Sequence, residues 1–596
     1  RRAVVLLGQP LLHYEEMHGV PIGGVVAHLC SMQDVPEFSK GDAEDDCVEV
    51  TCQMTYVTVE DGKNYYAAKS GEQLDPDKVK IGRDNEMANV EKFNVKEDIP
   101  LSVARSEGLK LVYSMWLDDK KATPEDPDGV RSRLVATEVN HYKREDNNQS
   151  TPPVKIFRII VSLAATKQDA QGRWTRLIVR YDIKVAFFHA PSDGMTAVIP
   201  PKGLCEPGFC WRLKKAMYGT RTASRLFGCF VTDKLLSEGF TLISVVPMTY
   251  RHKEHDITVS VHGDDFLAEC EKKSADWMDT TMAKHFEIKI LPRIGPPEHG
   301  GQTSEGSHLG RVIKWTNKGY TWEGDIKHVH NLLAVLNLVP GKAKSTTSPG
   351  SKDTGKGERD IVEVLGTTEA LKFRSAGGTL MYIAEDTPTV KFAANAVMEG
   401  MSEPTGLHML RVIRAARYLL KYPGEVWHFN YQKATNLLIE QVDADWAADT
   451  VTRKSMSSVA EQHGNHLLDL SIAKQTTLAL SSGESEFYAI VKGAGMGIQT
   501  RQIFEAAGMP VEVEIKSDSS AARGICGRQG SGSKLRHLSM KELWVQEHFR
   551  MKMSVLSKVG TLDNWADLGT KVLDKPRLDQ LVEMMPITRR EGLDGV

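Results

Sequence analysis

Two adjacent carboxylates, Asp264 and Asp265, lie between two apolar stretches of the chain. Apolar and polar residues alternate over residues 257–261, which predicts a half-buried strand, and Phe266 begins a second apolar run. Gly263 favours a tight turn, so the sequence places the aspartates at the tip of a β-hairpin. Neighbouring carboxylates repel each other unless a cation lies beside them, and divalent metal ions prefer such oxygens. An ordinary Asp-Asp hairpin turn is the alternative interpretation.

A third carboxylate, Asp182, ends an apolar stretch at residues 177–181 that is typical of a strand. An aspartate from a second strand beside the hairpin tip would complete a site for two metal ions. Such a site can hold an attacking hydroxyl and a leaving phosphate, which is the chemistry of nucleotidyl transfer.

The composition of the 596-residue chain limits its class. Its length indicates about three to five domains. Because the net charge is −3, nucleic-acid binding would have to rely on local positive charge. The eight cysteines show no disulfide or zinc-finger spacing, which is typical of a reducing compartment. No apolar run reaches the roughly 18 residues of a membrane span, so we expect no membrane partner. A chain that starts Arg1-Arg2 is expected to be a fragment of a longer reading frame.

Three sequence blocks occur in a fixed order: residues 182–187 (Asp-Ile-Lys-Val-Ala-Phe), residues 213–219 (Leu-Lys-Lys-Ala-Met-Tyr-Gly) and the hairpin acids. Together they resemble the reverse transcriptase of Ty1/copia-type LTR retrotransposons, over about residues 105–575 of this chain. The resemblance implies an RNA-directed DNA polymerase that uses an RNA template, a DNA primer and dNTPs. It also implies that Asp182, Asp264 and Asp265 are catalytic and hold two Mg²⁺ ions, with Mn²⁺ as a substitute.

The resemblance assigns nucleotide contacts to three further residues. Arg131 and Arg133 match a fingers strand whose cations meet the triphosphate of the incoming nucleotide, since guanidinium binds phosphate bidentately. Phe187 matches the aromatic residue that packs under the nucleotide sugar and excludes a 2′-hydroxyl. The alternatives from the residues alone are a solvated cationic strand edge and a core phenylalanine.

A second set of carboxylates follows residue 436. Asp443 ends an alternating stretch, Glu486 lies in the first turn of a helix opened by the capping-box sequence at residues 481–484, and Asp518 ends another strand. Asp567 opens a short helix. In order and context these acids resemble the RNase H domain of the same element family. The resemblance implies two Mg²⁺ ions that clamp a scissile phosphate of an RNA/DNA hybrid. Local positive charge would suit that hybrid: Arg523, Arg528, Lys534, Arg536, His537, Lys541, Arg550 and Lys552.

Two blocks depart from the family pattern. Residues 222–225 are Thr-Ala-Ser-Arg where the family has Gln-Ala-Pro-Arg, and His262-Gly263 replaces Tyr-Val. Both positions contact template, primer or nucleotide in the family, whereas every metal-binding carboxylate is retained. The alternative function is therefore a catalytically inactive or repurposed nucleic-acid-binding remnant of such an element.

The resemblance implies an α/β (α+β) fold: a right-hand polymerase with fingers, palm and thumb, followed by an RNase H-like α/β domain. The expected order is a poorly structured N-terminal or linker region (1–90), fingers, palm and start of the thumb (91–340), a linker and thumb or connection (341–435), the RNase H-like domain (436–575) and a C-terminal tail (576–596). An integrase or other parts of the same polyprotein are further expected partners. An intracellular location is expected, in a cytoplasmic particle, the nucleus or both.

Overall fold

The computed structural model describes residues 65–68, 71–122, 126–138, 151–350, 363–449, 452–530, 537 and 542–592. The expected poorly structured region at 1–90 therefore lies largely outside the described residues. The end of this region is described, and the expected boundary at residue 90 falls inside a helix, Pro76–Lys92. Asp75 caps this helix, and Val79 and Val90 are buried. No helix in the described part of the chain is both long and apolar enough to cross a membrane.

The strands are β1 (Tyr65–Tyr66), β2 (Gln73–Leu74), β3 (Lys96–Pro100), β4 (Lys110–Lys120), β5 (Val130–Ala136), β6 (Leu177–Ile183), β7 (Thr196–Ile199), β8 (Phe209–Leu213), β9 (Thr241–Leu242), β10 (Thr249–His252), β11 (Ile257–His262), β12 (Asp265–Cys270), β13 (Ile288–Ile290), β14 (Glu305–His308), β15 (Arg311–Thr316), β16 (Gly319–Gly324), β17 (Glu425–Asn430), β18 (Leu437–Ala444), β19 (Met456–His463), β20 (His466–Lys474), β21 (Glu512–Ser517), β22 (Val555–Lys558) and β23 (Ile587–Arg589).

The helices are α1 (Pro76–Lys92), α2 (Leu101–Ser106), α3 (Val154–Thr166), α4 (Ala223–Ser237), α5 (Lys272–His285), α6 (Lys327–Val335), α7 (Thr367–Ala384), α8 (Pro388–Met398), α9 (Gly406–Lys421), α10 (Ser482–Ala506), α11 (Ser520–Cys526), α12 (Trp544–Arg550) and α13 (Lys575–Met584). Short 3₁₀ helices include Ala186–His189, Pro297–His299, Thr561–Asp563 and Trp565–Gly569.

The chain divides into two compact units, one from the residues up to 149 together with 185–231, the other from 150–184 together with 232–596. In the first unit, a five-stranded sheet has the order β3-β8-β7-β4-β5. Helix α1 packs on β5, where the Glu86 carboxylate accepts a hydrogen bond from the Leu134 N–H at 3.4 Å. The strand expected to carry Arg131 and Arg133 is confirmed as β5.

The second unit contains a six-stranded sheet of order β13-β6-β12-β11-β10-β9. Helix α3 is buried from Lys155 to Thr166. Its polar residues are paired with the C-terminal part of the chain, because Lys155 bonds Glu461 at 3.2 Å and Arg158 donates to the Leu468 carbonyl at 2.9 Å. A helix buried on all sides is stable only when its charges find such partners.

A third sheet, of order β14-β15-β16-β17-β23, changes the expected domain limits. Residues 576–596 were expected to be a tail, but helix α13 and strand β23 occupy much of that segment. Strand β23 pairs with β17, with Ile587 opposite Trp427. The buried apolar positions Leu578, Leu581 and Val582 have helical spacing, and strand β23 has only three residues. The short apolar pattern therefore gave no strand signal.

The fourth sheet has the order β20-β19-β18-β21-β22. Its β20, β19 and β18 pair antiparallel, whereas β18 with β21 and β21 with β22 pair parallel. Helix α10, 25 residues long, packs against it, and Gly493 and Gly497 allow close contact with Val442 and Val513. This mixed five-stranded arrangement agrees with the RNase H-like domain that the resemblance implies.

Two candidate carboxylate sites

The first site lies at the edge where strand β6 ends and strand β12 begins. Asp265 is directly opposite Asp182 in the register of the β12 and β6 pair. The Ile183 N–H donates to the Asp264 carbonyl at 3.1 Å, which fixes the hairpin tip beside the end of β6. Gly263 has a φ of 64°, a left-handed conformation that favours glycine in a turn. The structure thus brings Asp182, Asp264 and Asp265 to one edge of the six-stranded sheet.

The three carboxylates affect one another electrostatically. Burial, followed by repulsion from Asp264 and Asp182, raises the pKa of Asp265 to about 6. A carboxyl group whose pKa is raised by like charges lies in a site that lacks compensating positive charge. The donor set therefore fits a divalent cation, which would supply that charge through oxygen ligands.

The residues expected to contact the nucleotide lie in the first unit. Arg131 is exposed on β5, and the guanidinium of Arg133 lies 5.0 Å from the centre of the Tyr218 ring. The Phe187 ring meets Tyr218 edge-on at 4.9 Å. Phe187 is only partly buried, whereas the core position is taken by Phe188, which is fully buried. Tyr218 thus contacts both Phe187 and Arg133.

Sequence reasoning gave Tyr218 no role, although it lies in the block at residues 213–219. Its carbonyl accepts a hydrogen bond from the Ala136 N–H at 2.7 Å, so this block is joined to the end of β5. The next residue, Gly219, has a φ of 84°, and a Cβ there would lie 1.9 Å from the Ala136 oxygen. Only glycine permits this approach. The Tyr-Gly pair was the available signal.

The second site lies at the edge of the fourth sheet. Strands β18 and β21 are parallel, and Val442 is opposite Ser517. The residues that come directly after this pair, Asp443 and Asp518, therefore lie side by side. The third acid, Glu486, comes from the first turns of α10, where the Ser481 hydroxyl accepts from the Glu484 N–H at 3.2 Å. Ligand atoms of the three acids all lie within 4.8 Å of one another. Among the described residues this is the one group of three or more such side chains whose ligand atoms lie so close together. The acids of the first site are farther apart than this.

The electrostatics of this cluster also indicate missing positive charge. Burial, then repulsion by Asp443 and Asp518, raises the pKa of Glu486 to about 9. Burial raises the pKa of Asp443 to about 7, although the Thr570 hydroxyl donates to its Oδ2 at 2.5 Å. The Oε2 atom of Glu486 is buried and has no hydrogen-bond partner. An orphaned carboxylate oxygen in a compact acidic cluster fits the ligand set of a divalent cation.

The fourth expected acid, Asp567, is not part of this cluster. It lies in the 3₁₀ helix Trp565–Gly569, and both of its oxygens are ion-paired. Lys571 Nζ is 2.6 Å from Oδ1, and Arg577 is 2.8 Å from Oδ2. Asp567 therefore lies outside the compact cluster, and its charge is neutralised by two cations of the following segment.

Some of the cations expected to form a positive patch near the second site are engaged in contacts within the protein. Arg523 donates to the Ser517 carbonyl and Arg550 pairs with Glu547, whereas Arg528 and Lys552 are exposed. His537 Nε2 is 3.0 Å from Glu484 Oε2. The expected contributors Lys534, Arg536 and Lys541 lie outside the described residues.

A strand-end aspartate faces a hairpin aspartate, and a mixed five-stranded sheet with acids at its strand ends follows in the chain. This arrangement agrees with the expected fold class, a right-hand polymerase fold followed by an RNase H-like domain. Residues 101–296 match the family described as reverse transcriptase (RNA-dependent DNA polymerase). Residues 101–296 thus match a reverse transcriptase domain, and over most of its length the chain is similar to Pol polyproteins of copia-type retrotransposons.

Two relatives illustrate the match. The chain is 25% identical over 488 residues to the Retrovirus-related Pol polyprotein from transposon RE2 of Arabidopsis thaliana, covering 78% of this chain and 31% of the relative. It is 24% identical over 469 residues to that from transposon TNT 1-94 of Nicotiana tabacum, covering 76% and 34%. The chain thus spans about a third of the length of these relatives.

Among solved structures, the chain resembles a foamy viral protease-reverse transcriptase in complex with an RNA/DNA hybrid. The TM-score is 0.43 at 10% identity, over 77% of this chain and 52% of that one.

Proposed function

We propose that the chain is an RNA-directed DNA polymerase with RNase H activity. The register pair Asp182 and Asp265 carries the polymerase half of the proposal, because a backbone ladder holds acids from two strands at one edge. The compact cluster of Asp443, Glu486 and Asp518 supports the hydrolase half. The substrates would be an RNA template, a DNA primer, dNTPs and the resulting RNA/DNA hybrid.

In the polymerase site, Asp182, Asp264 and Asp265 would hold the metal ions. Two divalent cations, Mg²⁺ or Mn²⁺, would stabilise the negative charge on the attacking oxygen of the primer and on the leaving pyrophosphate. Arg131 and Arg133 would bind the triphosphate oxygens through their guanidinium groups. Phe187, only partly buried, would present its ring to the sugar and exclude a 2′-hydroxyl.

In the hydrolase site, Asp443, Glu486 and Asp518 would hold a divalent cation at the scissile RNA phosphate. The partly exposed His537 and the exposed Arg528 and Lys552 leave positive charge for the hybrid backbone. Other segments of the polyprotein are further proposed partners, since the relatives extend well beyond the region matched here.

Primer extension tests the proposal most directly. The purified 596-residue chain, given an RNA template annealed to a DNA primer, dNTPs and Mg²⁺, is expected to lengthen the primer. The double variant Asp182→Asn/Asp264→Asn, purified in the same way, is the control for contaminating polymerase.

A chain that binds the hybrid but extends no primer with either Mg²⁺ or Mn²⁺ would contradict the proposal. That outcome would favour the inactive, nucleic-acid-binding alternative. The altered residues Thr222, Ser224 and Gly263 would then be the first positions to restore to the family pattern.

A further inference from the structure

Asp567 is the fourth acid that the resemblance assigns to the hydrolase site, and it forms an ion pair with the ammonium group of Lys571. The Asp567 side chain is 5% exposed, so its charge is removed from water and requires a partner. Lys571 Nζ binds Oδ1 at 2.6 Å. In this arrangement the ammonium takes one acceptor position of Asp567 Oδ1, and its positive charge disfavours a metal ion at the same oxygen.

The two cations on Asp567 differ in how firmly they are held. Arg577 also donates to the carbonyls of Leu562 and Thr561 and to the Gln580 side chain, so its guanidinium is fixed by several contacts. It is 15% exposed. The Lys571 side chain is 51% exposed and carries its ammonium on a flexible stem. Lys571 is therefore the cation that can leave while the fold around Asp567 stays intact.

Lys571 also lies near the other acids of the site. Its neighbour Thr570 donates directly to Asp443 Oδ2. Burial raises the pKa of Asp443 and of Glu486, and the Lys571 ammonium opposes that rise in both groups. The Lys571 ammonium group thus pairs with Asp567 and also offsets part of the negative charge of Asp443 and Glu486.

Resting on the proposed RNase H function, we propose that Lys571 holds the place of a second divalent cation at Asp567. The site then binds one cation tightly at Asp443, Glu486 and Asp518. A second cation binds only by displacing the Lys571 ammonium from Asp567 Oδ1. Lys571 is a positioning residue that sets the metal occupancy of the site.

Counting bound Mn²⁺ tests this inference without measuring activity. The full chain carries Asp182→Asn and Asp264→Asn, so that the polymerase site does not contribute, and free Mn²⁺ is followed by electron paramagnetic resonance during titration. In this background one tight Mn²⁺ is expected per chain. Lys571→Gln is expected to strengthen binding of a second Mn²⁺ by about tenfold or more, since it removes a unit charge a few ångströms from a dication.

Two variants complete the design. Lys575→Gln removes the same charge four residues along the chain, where Lys575 pairs with Asp579, and is expected to behave as the background protein. Lys571→Arg keeps the positive charge and is expected to retain a single tight Mn²⁺. Equal second-site affinities for Lys571→Gln and Lys575→Gln would overturn the inference alone. Absence of any tight Mn²⁺ in the background protein would overturn the proposed hydrolase site as well.

Discussion

Asp265 faces Asp182 across two antiparallel strands, so their separation is set by the β-sheet ladder and not by a loop. A one-residue slip of β12 against β6 would turn one of the two side chains to the opposite face of the sheet. The next register pair, Phe266 opposite Tyr181, is buried and opposes such a slip. The core of the second unit therefore determines the position of the proposed metal-binding acids.

Removing one charge from the acidic site of Asp182, Asp264 and Asp265 should stop DNA synthesis. Asp182→Asn or Asp264→Asn keeps side-chain size but removes a carboxylate from the metal-binding set, so primer extension is expected to fall by at least about a hundredfold. Binding of the hybrid, measured by fluorescence anisotropy, should persist because phosphate contacts dominate affinity. Asp233→Asn, at an exposed position on α4, is the matched control. Near-parental extension by either variant would refute the assignment of this site.

Phe187 should control sugar selection. Phe187→Ala is expected to raise ribonucleotide relative to deoxynucleotide incorporation by about tenfold or more, because it opens space for a 2′-hydroxyl. Single-nucleotide insertion kinetics give kcat/KM for each substrate. Phe188→Leu, at the neighbouring buried ring, should lower stability but leave the ratio unchanged. If both variants leave the ratio unchanged, Phe187 is a core residue.

The two sites should be separable. Glu486→Gln keeps the size of the side chain and removes a charge from the compact acidic cluster. It is therefore expected to stop cleavage of the RNA strand of a labelled hybrid, with DNA synthesis nearly unchanged. Asp264→Asn should show the converse pattern. RNA degradation by the Glu486→Gln protein at the parental rate would exclude this cluster as the hydrolase site.

Glu425 should make stability depend on pH. Burial raises its pKa from 4.5 to about 7, and its Oε1 has no hydrogen-bond partner. Between these two pH values the folded chain keeps a proton that the unfolded chain has released. Stability therefore falls as pH rises through this window, by up to about 1.4 kcal/mol per pH unit, and levels off above it.

Urea unfolding at several pH values checks the Glu425 prediction. Glu425→Gln cannot ionise, so its unfolding midpoint should decline less than that of the parent as pH rises towards 7. Glu583→Gln, at an exposed position on α13, should follow the parent. Parallel pH profiles for the parent and Glu425→Gln would show that this carboxyl group is not titrated in the expected range.

The sequence predicted the hairpin correctly because apolar residues at 257, 259 and 261 must share one face of a strand. It misjudged the exposure of that strand. Thr258 and Ser260 are buried, and Ser260 shares a hydrogen bond with Thr249 at 3.0 Å. The second face of β11 is therefore covered as well as the apolar one. Alternation reports side-chain polarity, whereas burial depends on neighbouring elements that a local pattern does not contain.

The same limit applies to the candidate sites. The strand ends at Asp182 and Asp443 could be predicted, because apolar runs and turn residues are local signals. The ion pairs of Asp567 could not be, since Arg577 belongs to a later helix and its approach depends on how that helix packs. Tyr218 was missed for a related reason: its contacts with Phe187 and Arg133 join segments that are distant in sequence.

Strands β17 and β23 are neighbours in one sheet, although the whole fourth sheet lies between them along the chain. The RNase H-like part is therefore an insertion within another sheet and not an appendage at the end of the polypeptide. Deleting the chain after residue 575 would remove an edge strand, and with it the ion pair of Arg590 with Glu323. Separating the RNase H-like part from the rest would therefore require excising the residues between these strands and rejoining the flanks with a short linker, since simple truncation would also remove β23 from the third sheet.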